Sequence, residues 1–211
     1  MRVAQIWCYP IKSLAGIPLF TAEVTPLGVL HDREIVIVKN GRIATARRYH
    51  KLLALQGALD ADDRPTIDGH SWESLEAREL TSEAVGAEVE LIKVDGPERF
   101  DILPLLVATD GAIAALHEDG RRLRPNIVIG GVEGLEERKW PGRRFQIGDL
   151  VFEAAQLRQR CVMTTYDPDT QEQDLNVLKR IVSDFDGTMA LDCRVITPGT
   201  ISVGEEVRLL E

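Results

Sequence analysis

Cysteine is scarce in this sequence, and its scarcity excludes two kinds of site. The three cysteines, Cys8, Cys161 and Cys193, are too few and too far apart for a disulfide framework. None of them belongs to a Cys-x-x-Cys pair, so the sequence offers no zinc-type set of thiolate ligands. Any chemistry at sulfur therefore has to depend on a single thiol.

Long apolar runs and an excess of basic residues are also missing. No segment approaches the roughly 20 apolar residues of a membrane-spanning helix. The opening stretch MRVAQIWCYPIK lacks the basic and then apolar layout of a secretory signal, so we expect a cytoplasmic protein that does not bind a membrane. The net charge is −9, with 34 acidic against 25 basic residues. Because nucleic acid binds basic surfaces, this balance argues against a nucleic-acid partner.

The sequence does contain many short segments rich in valine and isoleucine, which predict strands. The clearest is a hairpin over residues 34–47, where Asn40-Gly41 suits a two-residue turn. In two other segments Gly148 and Gly204 follow an apolar residue and precede an acidic one, which predicts tight turns that lead into strands. The further strands are predicted at 87–94, 126–131, 143–157 and 200–210.

Helices are fewer. Apolar residues at helical spacing predict helices over 71–86, over 110–120 with Asp110 as the cap, and over 174–185. The last of these would bury one face, formed by Leu175, Leu178, Ile181 and Val182. The polar stretch 60–71 predicts a flexible surface connection. We expect a mainly β protein with a few helices (α+β), a β-barrel whose two lobes meet near 95–100.

Basic residues lie in short groups between the apolar runs, although the chain is acidic overall. A cation beside a hydroxyl or an amide suits an oxyanion such as phosphate. No glycine-rich loop opens a helix, so the common nucleotide-binding fingerprints are absent. Two interpretations stay open: independent solvated cations, or convergence on one small anionic ligand. The groups are Lys12 and Ser13 in YPIKSL, Arg33 in HDR, Arg47 in TARR, Arg124 and Asn126 in RPN, and the pairs Arg121-Arg122 and Arg158/Arg160.

Cys161 has two basic residues close before it in the sequence. It follows Arg158 and Arg160 and precedes TTYDPDT, the sequence of a strand that leads into a turn. Positive charge favours the thiolate, the form that attacks electrophiles and binds soft metals. On the residues alone, the alternative of a buried structural cysteine is the commoner outcome. Cys8 and Cys193 lie in apolar or alternating segments and are predicted to belong to the core.

The order of these segments resembles the MOSC proteins, and within them the branch of the mitochondrial amidoxime-reducing component and its bacterial relatives. The motifs that carry the resemblance are YPIKS, LGVLHDR, TARR, RPNIVI, RC-x-x-TT-x-DPDT and TPGTISVGEEV. The resemblance extends from Tyr9 to the C-terminus. It implies an N-terminal MOSC β-barrel domain over 1–95 and a MOSC domain over 96–211.

The resemblance also implies a molybdenum cofactor, which is a pterin dithiolene with a terminal phosphate. Cys161 would be the catalytic thiolate and the protein ligand to molybdenum, as a soft ligand suits that metal. Asp110 would lie near the cofactor and Asp167 would shape the pocket. The residues implied to bind the cofactor are Lys12, Ser13, Arg33, Arg47, Thr109, Arg124, Asn126 and Cys161.

The activity that the resemblance implies is reduction of N-hydroxylated compounds such as amidoximes, hydroxylamines and N-hydroxylated bases. Two electrons and two protons would convert the N–O bond to an amine and water, and an external flavin, haem or iron–sulfur protein would supply the electrons. Two alternatives stay open. Cys161 would act as a persulfide or cofactor ligand in a sulfur or cofactor carrier, or the barrel would have lost the cofactor and serve as an interaction module.

Overall fold

Strands dominate the computed structural model, which describes residues 1–210. These residues form 17 strands and three α-helices, and this confirms the expected mainly β fold with a few helices. The helices are α1 (Leu75–Val85), α2 (Asp110–Leu116) and α3 (Leu175–Asp184). The strands are β1 (Arg2–Cys8), β2 (Ile17–Leu19), β3 (Thr21–Thr25), β4 (Gly28–Val29), β5 (Ile35–Lys39), β6 (Arg42–Ile43), β7 (Gly57–Leu59), β8 (Pro65–Ile67), β9 (His70–Ser71), β10 (Glu90–Lys93), β11 (Leu105–Thr109), β12 (Ile127–Gly130), β13 (Arg144–Ile147), β14 (Leu150–Gln159), β15 (Thr188–Thr197), β16 (Gly199–Ser202) and β17 (Arg208–Leu210).

One eight-stranded sheet organises the molecule, in the order β17-β13-β14-β15-β11-β12-β1-β2. Its neighbours are antiparallel except β11 and β12, which run parallel. The sheet joins the first two strands of the chain to strands that follow residue 104. A division of the chain at residue 95 therefore does not coincide with a sheet boundary, and the predicted domain limits stay a prediction.

Strand β11 shows how this sheet buries both of its faces. Leu105 and Val107 point into the main core, which also contains Phe145 of β13 and Phe152 of β14. Leu106 and Ala108 point to the other face, where α2 and α3 cover them. All four side chains are buried because successive residues of a strand face opposite sides.

The remaining strands form three small sheets, two of which pack with α1 around a separate core. The predicted hairpin is β5-β6, and Asn40 and Gly41 adopt positive φ angles of 50° and 71° at its turn. The prediction for 60–71 was wrong, because this stretch contains β8 and β9. Pro65–Ile67 is buried, and the hairpin turns at Asp68-Gly69, so the polar residues that suggested a loop are its turns.

The three predicted helices are present, with two corrections. Thr109 caps α2, since its hydroxyl accepts from the N–H of Ala112 at 3.2 Å, whereas the Asp110 carboxylate accepts from the N–H groups of Gly131 and Val132. Helix α3 buries Val177 and Ile181, which are one i,i+4 pair, and leaves Leu175 and Val182 exposed by 53% and 59%. The buried stripe is thus rotated from the predicted one. No helix within residues 1–210 has the length and apolar character needed to cross a membrane.

The main core makes a direct prediction about stability. Phe145 is fully buried between Trp140 and Phe152, with ring centroids 4.8 and 5.3 Å away. Truncation of such a ring leaves a cavity, so Phe145→Ala should lower the free energy of unfolding by about 3–5 kcal/mol in urea denaturation. Phe20, which is 75% exposed, is the matched control, and Phe20→Ala should change it by less than about 0.5 kcal/mol. Equal losses in the two variants would contradict this account of the core.

Candidate functional site

Loops from both halves of the chain meet at one cavity of about 630 Å³. Of the eight residues predicted to bind a ligand, seven line it: Lys12, Ser13, Arg33, Arg47, Arg124, Asn126 and Cys161. These side chains follow or precede strand ends, at β1, β5, β6, β12 and β14, which fix the positions of the loops. The basic segments therefore meet at one cavity, and a small anionic ligand for this cavity stays a prediction.

Backbone pairing holds the YPIKS and HDR segments together. The N–H of Lys12 donates to the carbonyl of Ile35, and the N–H of Arg33 donates to the carbonyl of Tyr9, both at 2.8 Å. The carboxylate of Asp32 is fully buried, where it accepts from the N–H of Tyr9 at 2.8 Å and pairs with the guanidinium of Arg33. Lys12 and Arg33 are thus presented to the cavity as one unit.

The ring of Tyr9 lies against two guanidinium groups. The Arg124 guanidinium is 4.3 Å from the ring centroid and that of Arg33 is 5.0 Å away, which are cation–π distances. The Tyr9 hydroxyl donates to the carbonyl of Pro125 at 3.3 Å, so this buried donor has an acceptor. Burial raises the pKa of Tyr9 to about 12, and the phenol therefore stays neutral. A neutral aromatic ring lets the two cations approach one another at the cavity wall.

Asn126 connects the sheet to this wall. Its Oδ1 accepts from the N–H of Leu106 at 3.1 Å and from Arg33 Nη1 at 3.5 Å. Its Nδ2 donates to the carbonyl of Trp7 at 3.3 Å. Since Asn126 is buried, these bonds tie the guanidinium of Arg33 to strands of the main sheet.

Cys161 follows β14 and precedes a 3-10 helix, Val162–Thr165, which it caps. Its side chain is partly exposed and lines the cavity. Thr164 and Thr165 are buried, and their hydroxyls donate to the carbonyls of Cys161 and Val162. The threonines therefore fix the turn that presents the thiol.

Cys8 and Cys193 are buried in the main core, which confirms the prediction for both. Burial raises the pKa of each thiol well above its ordinary value.

His31 pairs with Glu34 at 3.4 Å and does not contribute to the cavity lining.

Three further arginines line the cavity, namely Arg122, Arg158 and Arg160. They belong to the basic groups of the sequence but were not predicted to bind the ligand. Their positions in the sequence could have indicated this, because Arg122 lies in RRLR with Arg124, and Arg158 and Arg160 lie in RQRC with Cys161. Burial lowers the pKa of Arg124 and of Arg160 to about 10, so both stay cationic at neutral pH. Within residues 1–210, no acceptor contacts Arg122 Nη1, Arg124 Nη2 or Arg160 Nε, although these atoms are buried. Buried donors without acceptors favour an anionic ligand.

Two carboxylates in the lining partly offset its positive charge. Lys12 Nζ donates to Asp101 Oδ1 at 2.7 Å, and Arg158 Nη1 donates to Asp192 Oδ1 at 2.9 Å. Burial lowers the pKa of Lys12, and Asp101 offsets only part of this effect. Neither carboxylate stood out in the sequence, because both lie in apolar segments without a motif.

Asp167 lies beside the cavity. Its carboxylate accepts from Arg122 Nη2 at 3.0 Å and borders a smaller cavity of about 130 Å³ that shares Arg122 and Arg124 with the larger one. This placement agrees with a residue that shapes the site through Arg122. Among residues 1–210, no three His, Cys, Asp or Glu side chains lie together as a metal site would require.

Thr109 does not reach the cavity, contrary to the prediction. It is fully buried, and its hydroxyl donates to Glu137 Oε2 at 2.7 Å while it caps α2. The other oxygen of Glu137 accepts from the N–H of Ala190, a strand residue with a positive φ of 67°. Thr109 and Glu137 therefore stabilise a distortion of β15, and the neighbouring Asp110 holds the turn after β12. The role of Thr109 in this fold is structural.

Sequence models of two protein families match this chain. The MOSC N-terminal β-barrel domain matches residues 1–113, and the MOSC domain matches residues 108–208. The chain belongs to the MOSC family. This MOSC chain is 26% identical to human mitochondrial amidoxime-reducing component 1, over 99% of its own length and 82% of the human protein. It is also 26% identical to human mitochondrial amidoxime reducing component 2, over 84% of its length and 71% of the relative.

A more distant relative and a solved structure complete the comparison. A molybdenum cofactor sulfurase of Caenorhabditis briggsae is 25% identical over 83% of the MOSC chain, which spans 30% of that longer protein. The crystal structure of the YuaD protein of Bacillus subtilis superposes with a TM-score of 0.55 at 13% identity, over 99% of this chain and 94% of the other. That likeness shows that the two chains share their fold.

The position of Tyr9 predicts how anions bind. Tyr9→Leu removes the ring that orders Arg33 and Arg124, and should weaken the binding of inorganic phosphate about fivefold, the size of one partly buried cation–π contact. Tyr9→Phe keeps the ring and is the matched control, for which affinity should stay within about twofold. Isothermal titration calorimetry of the cofactor-free protein measures both. Equal affinities for the leucine and phenylalanine variants would show that the ring does not order the site.

The raised pKa of Glu137 predicts that the stability of the protein depends on pH. Burial raises the pKa of this carboxyl, more than its hydrogen bonds from Thr109 and Ala190 lower it. The folded protein then binds the proton more tightly than the unfolded chain, so the contribution of Glu137 is fully present below about pH 4.5 and is lost as the pH rises through the folded pKa. The free energy of unfolding of the native protein minus that of Glu137→Gln should fall between pH 4 and pH 7. A difference that stays constant or rises between pH 4 and pH 7 would contradict a raised pKa of Glu137.

Proposed function

We propose that this MOSC protein binds a molybdenum cofactor in the large cavity and reduces N-hydroxylated compounds such as amidoximes. The observation that carries the proposal is the partly exposed thiol of Cys161 in the same cavity as buried arginine donors that lack acceptors. The amidoxime-reducing names of the human relatives support the reaction type.

The residues of the cavity fit such a cofactor in size and in chemistry. A volume of about 630 Å³ lies within the roughly 300–1,000 Å³ of ordinary ligand sites. The free donor atoms of Arg122, Arg124 and Arg160 match a phosphate group, which accepts several charge-assisted hydrogen bonds. The Cys161 thiolate matches a soft metal such as molybdenum in a sulfur-rich site.

Each part of the cavity would then have one task. Cys161 would bind the metal, and the turn that Thr164 and Thr165 hold would keep its sulfur in place. Arg33 and Arg124, ordered by Tyr9, would bind the phosphate end together with Ser13 and Lys12. When bound, the cofactor would supply the two electrons that cleave the N–O bond. The protein residues would bind and orient it.

One wall of the cavity differs from the rest in being apolar. Phe100, Ile102 and Leu103 line it on the segment before β11, and Ile102 is exposed. We expect this wall to contact the carbon skeleton of the substrate, because a cofactor held on the basic floor leaves these side chains facing the opening. Electrons would come from an external flavin, haem or iron–sulfur protein, and a cytoplasmic location remains our expectation.

Metal content and activity test the proposal together. Protein from a host that makes the cofactor should carry about one molybdenum atom per chain and reduce benzamidoxime with an artificial electron donor. Cys161→Ala should lower that activity by about 100-fold or more, because it removes the metal ligand. Cys193→Ala is the matched control, since this thiol is buried in the core, and it should keep both metal and activity. Metal-free protein from such a host, or full activity of Cys161→Ala, would contradict the proposal.

A second candidate function follows from the likeness to the sulfurase and from the same exposed thiol. In a sulfur carrier, Cys161 would bear a persulfide. Cyanide treatment of metal-free protein distinguishes the two functions: thiocyanate release that Cys161→Ala abolishes favours the carrier, and no release favours the reductase.

A further inference from the structure

The cavity gathers like charges that the protein itself only partly neutralises. Among residues 1–210, seven basic side chains and two carboxylates line it, while Asp32, Glu118 and Asp167 pair with two of the cations from outside the lining. Both carboxylates, Asp101 and Asp192, contact the same residue, Arg158, at 3.4 and 2.9 Å. The basic side chains are Lys12, Arg33, Arg47, Arg122, Arg124, Arg158 and Arg160.

The two carboxylates differ in how firmly they are held. The Asp192 side chain is 1% exposed, and its second oxygen accepts from Gln156 at 3.2 Å, so it is a fixed part of the sheet. The Asp101 side chain is 42% exposed. It reaches into the cavity to Lys12 at 2.7 Å, and its second oxygen lies 4.0 Å from Arg47. Asp101 thus touches cations from both halves of the chain while it remains open to solvent.

The segment that carries Asp101 is anchored on either side of it. The buried guanidinium of Arg99 donates to the carbonyls of Leu27 and Val94, both at 3.3 Å. On the other side, Pro104 packs against Gly28, where the positive φ of 82° and the nearby Pro104 carbonyl leave no room for a side chain. Between these anchors, Phe100 to Leu103 line the cavity. The backbone on both sides of Asp101 is therefore held by contacts that do not involve its carboxylate.

We propose that Asp101 is an exchangeable counter-ion, which an incoming oxyanion replaces on Lys12 and Arg158, and which therefore sets the affinity of the cavity for oxyanions. The inference rests on the oxyanion binding in the proposed function, but not on molybdenum or on the reduction. A phosphate group offers the same kind of acceptor oxygens as a carboxylate and more charge, so it competes for the same donors.

The charge state of Asp101 supports this exchange. Burial acts to raise the pKa of its carboxyl, but Lys12, Arg158 and Arg33 more than offset burial and hold the pKa below its ordinary value. The carboxylate is therefore ionised at neutral pH. An oxyanion that binds Lys12 or Arg158 has to displace Asp101 from that cation and then lies near a remaining negative charge.

The test compares two variants that each remove one negative charge from the same segment. Asp101→Asn should bind inorganic phosphate about tenfold more tightly than the native protein at constant ionic strength, a difference of about 1.4 kcal/mol. Glu98→Gln is the matched control: Glu98 is exposed, lies three residues from Asp101 and does not line the cavity, and its affinity should stay within about twofold. Calorimetry of cofactor-free protein measures all three.

Several results would overturn the inference. These are an Asp101→Asn variant that binds phosphate no more tightly than the native protein, equal gains in the two variants, or no phosphate binding by any of them. If Asp101→Asn does not fold, Asp101→Ser carries the same expectation. Carbon-13 NMR of the native protein adds a measurement without mutation, because saturating phosphate should shift the Asp101 carboxylate resonance, and an unchanged resonance would reject the exchange.

The outcome is separable from that of the proposed function. A molybdenum-loaded, active protein in which Asp101→Asn has no effect on phosphate binding removes only the counter-ion role. Tighter phosphate binding in a protein that never acquires molybdenum removes only the reductase.

Discussion

Mutual repulsion among cations is the constraint on which this structure depends. An acidic chain of net charge −9 brings seven basic side chains to a single cavity, where burial also disfavours the charge of Lys12, Arg124 and Arg160. Buried Asp32, the neutral ring of Tyr9 and buried Asp192 each compensate part of that cost at a fixed position. The positive charge that they leave uncompensated favours an anionic ligand.

The fold makes this concentration possible because rigid strands end at the cavity. Strand β14 leads into the turn of Cys161, and Asn126 joins the main sheet to Arg33. Hydrogen bonds between the YPIKS and HDR segments present Lys12 and Arg33 from the other side. A site built on strand ends keeps its donors in place before any ligand arrives, so binding costs little reorganisation.

The sequence predicted eight of the 17 strands, and seven of the eight residues that it assigned to a ligand do line the cavity, because local patterns and motif order encode both. It did not predict Asp101 or Asp192, whose importance arises only when distant segments meet at Arg158. Thr109 was wrongly predicted to bind the ligand, because a hydroxyl just before a helix can cap the helix as readily as it can bind a ligand. The buried face of α3 was misjudged because Leu175 and Val182 fit a helical stripe that the sheet does not cover.

The central claim is that the thiol of Cys161 holds a metal in this basic cavity. X-ray absorption at the molybdenum edge of the cofactor-loaded protein tests it most directly, since the signal reports the sulfur atoms bound to the metal. The account predicts that Cys161→Ser, when loaded with the cofactor, has one sulfur ligand fewer than the native protein. An identical sulfur shell in the two proteins would contradict the claim.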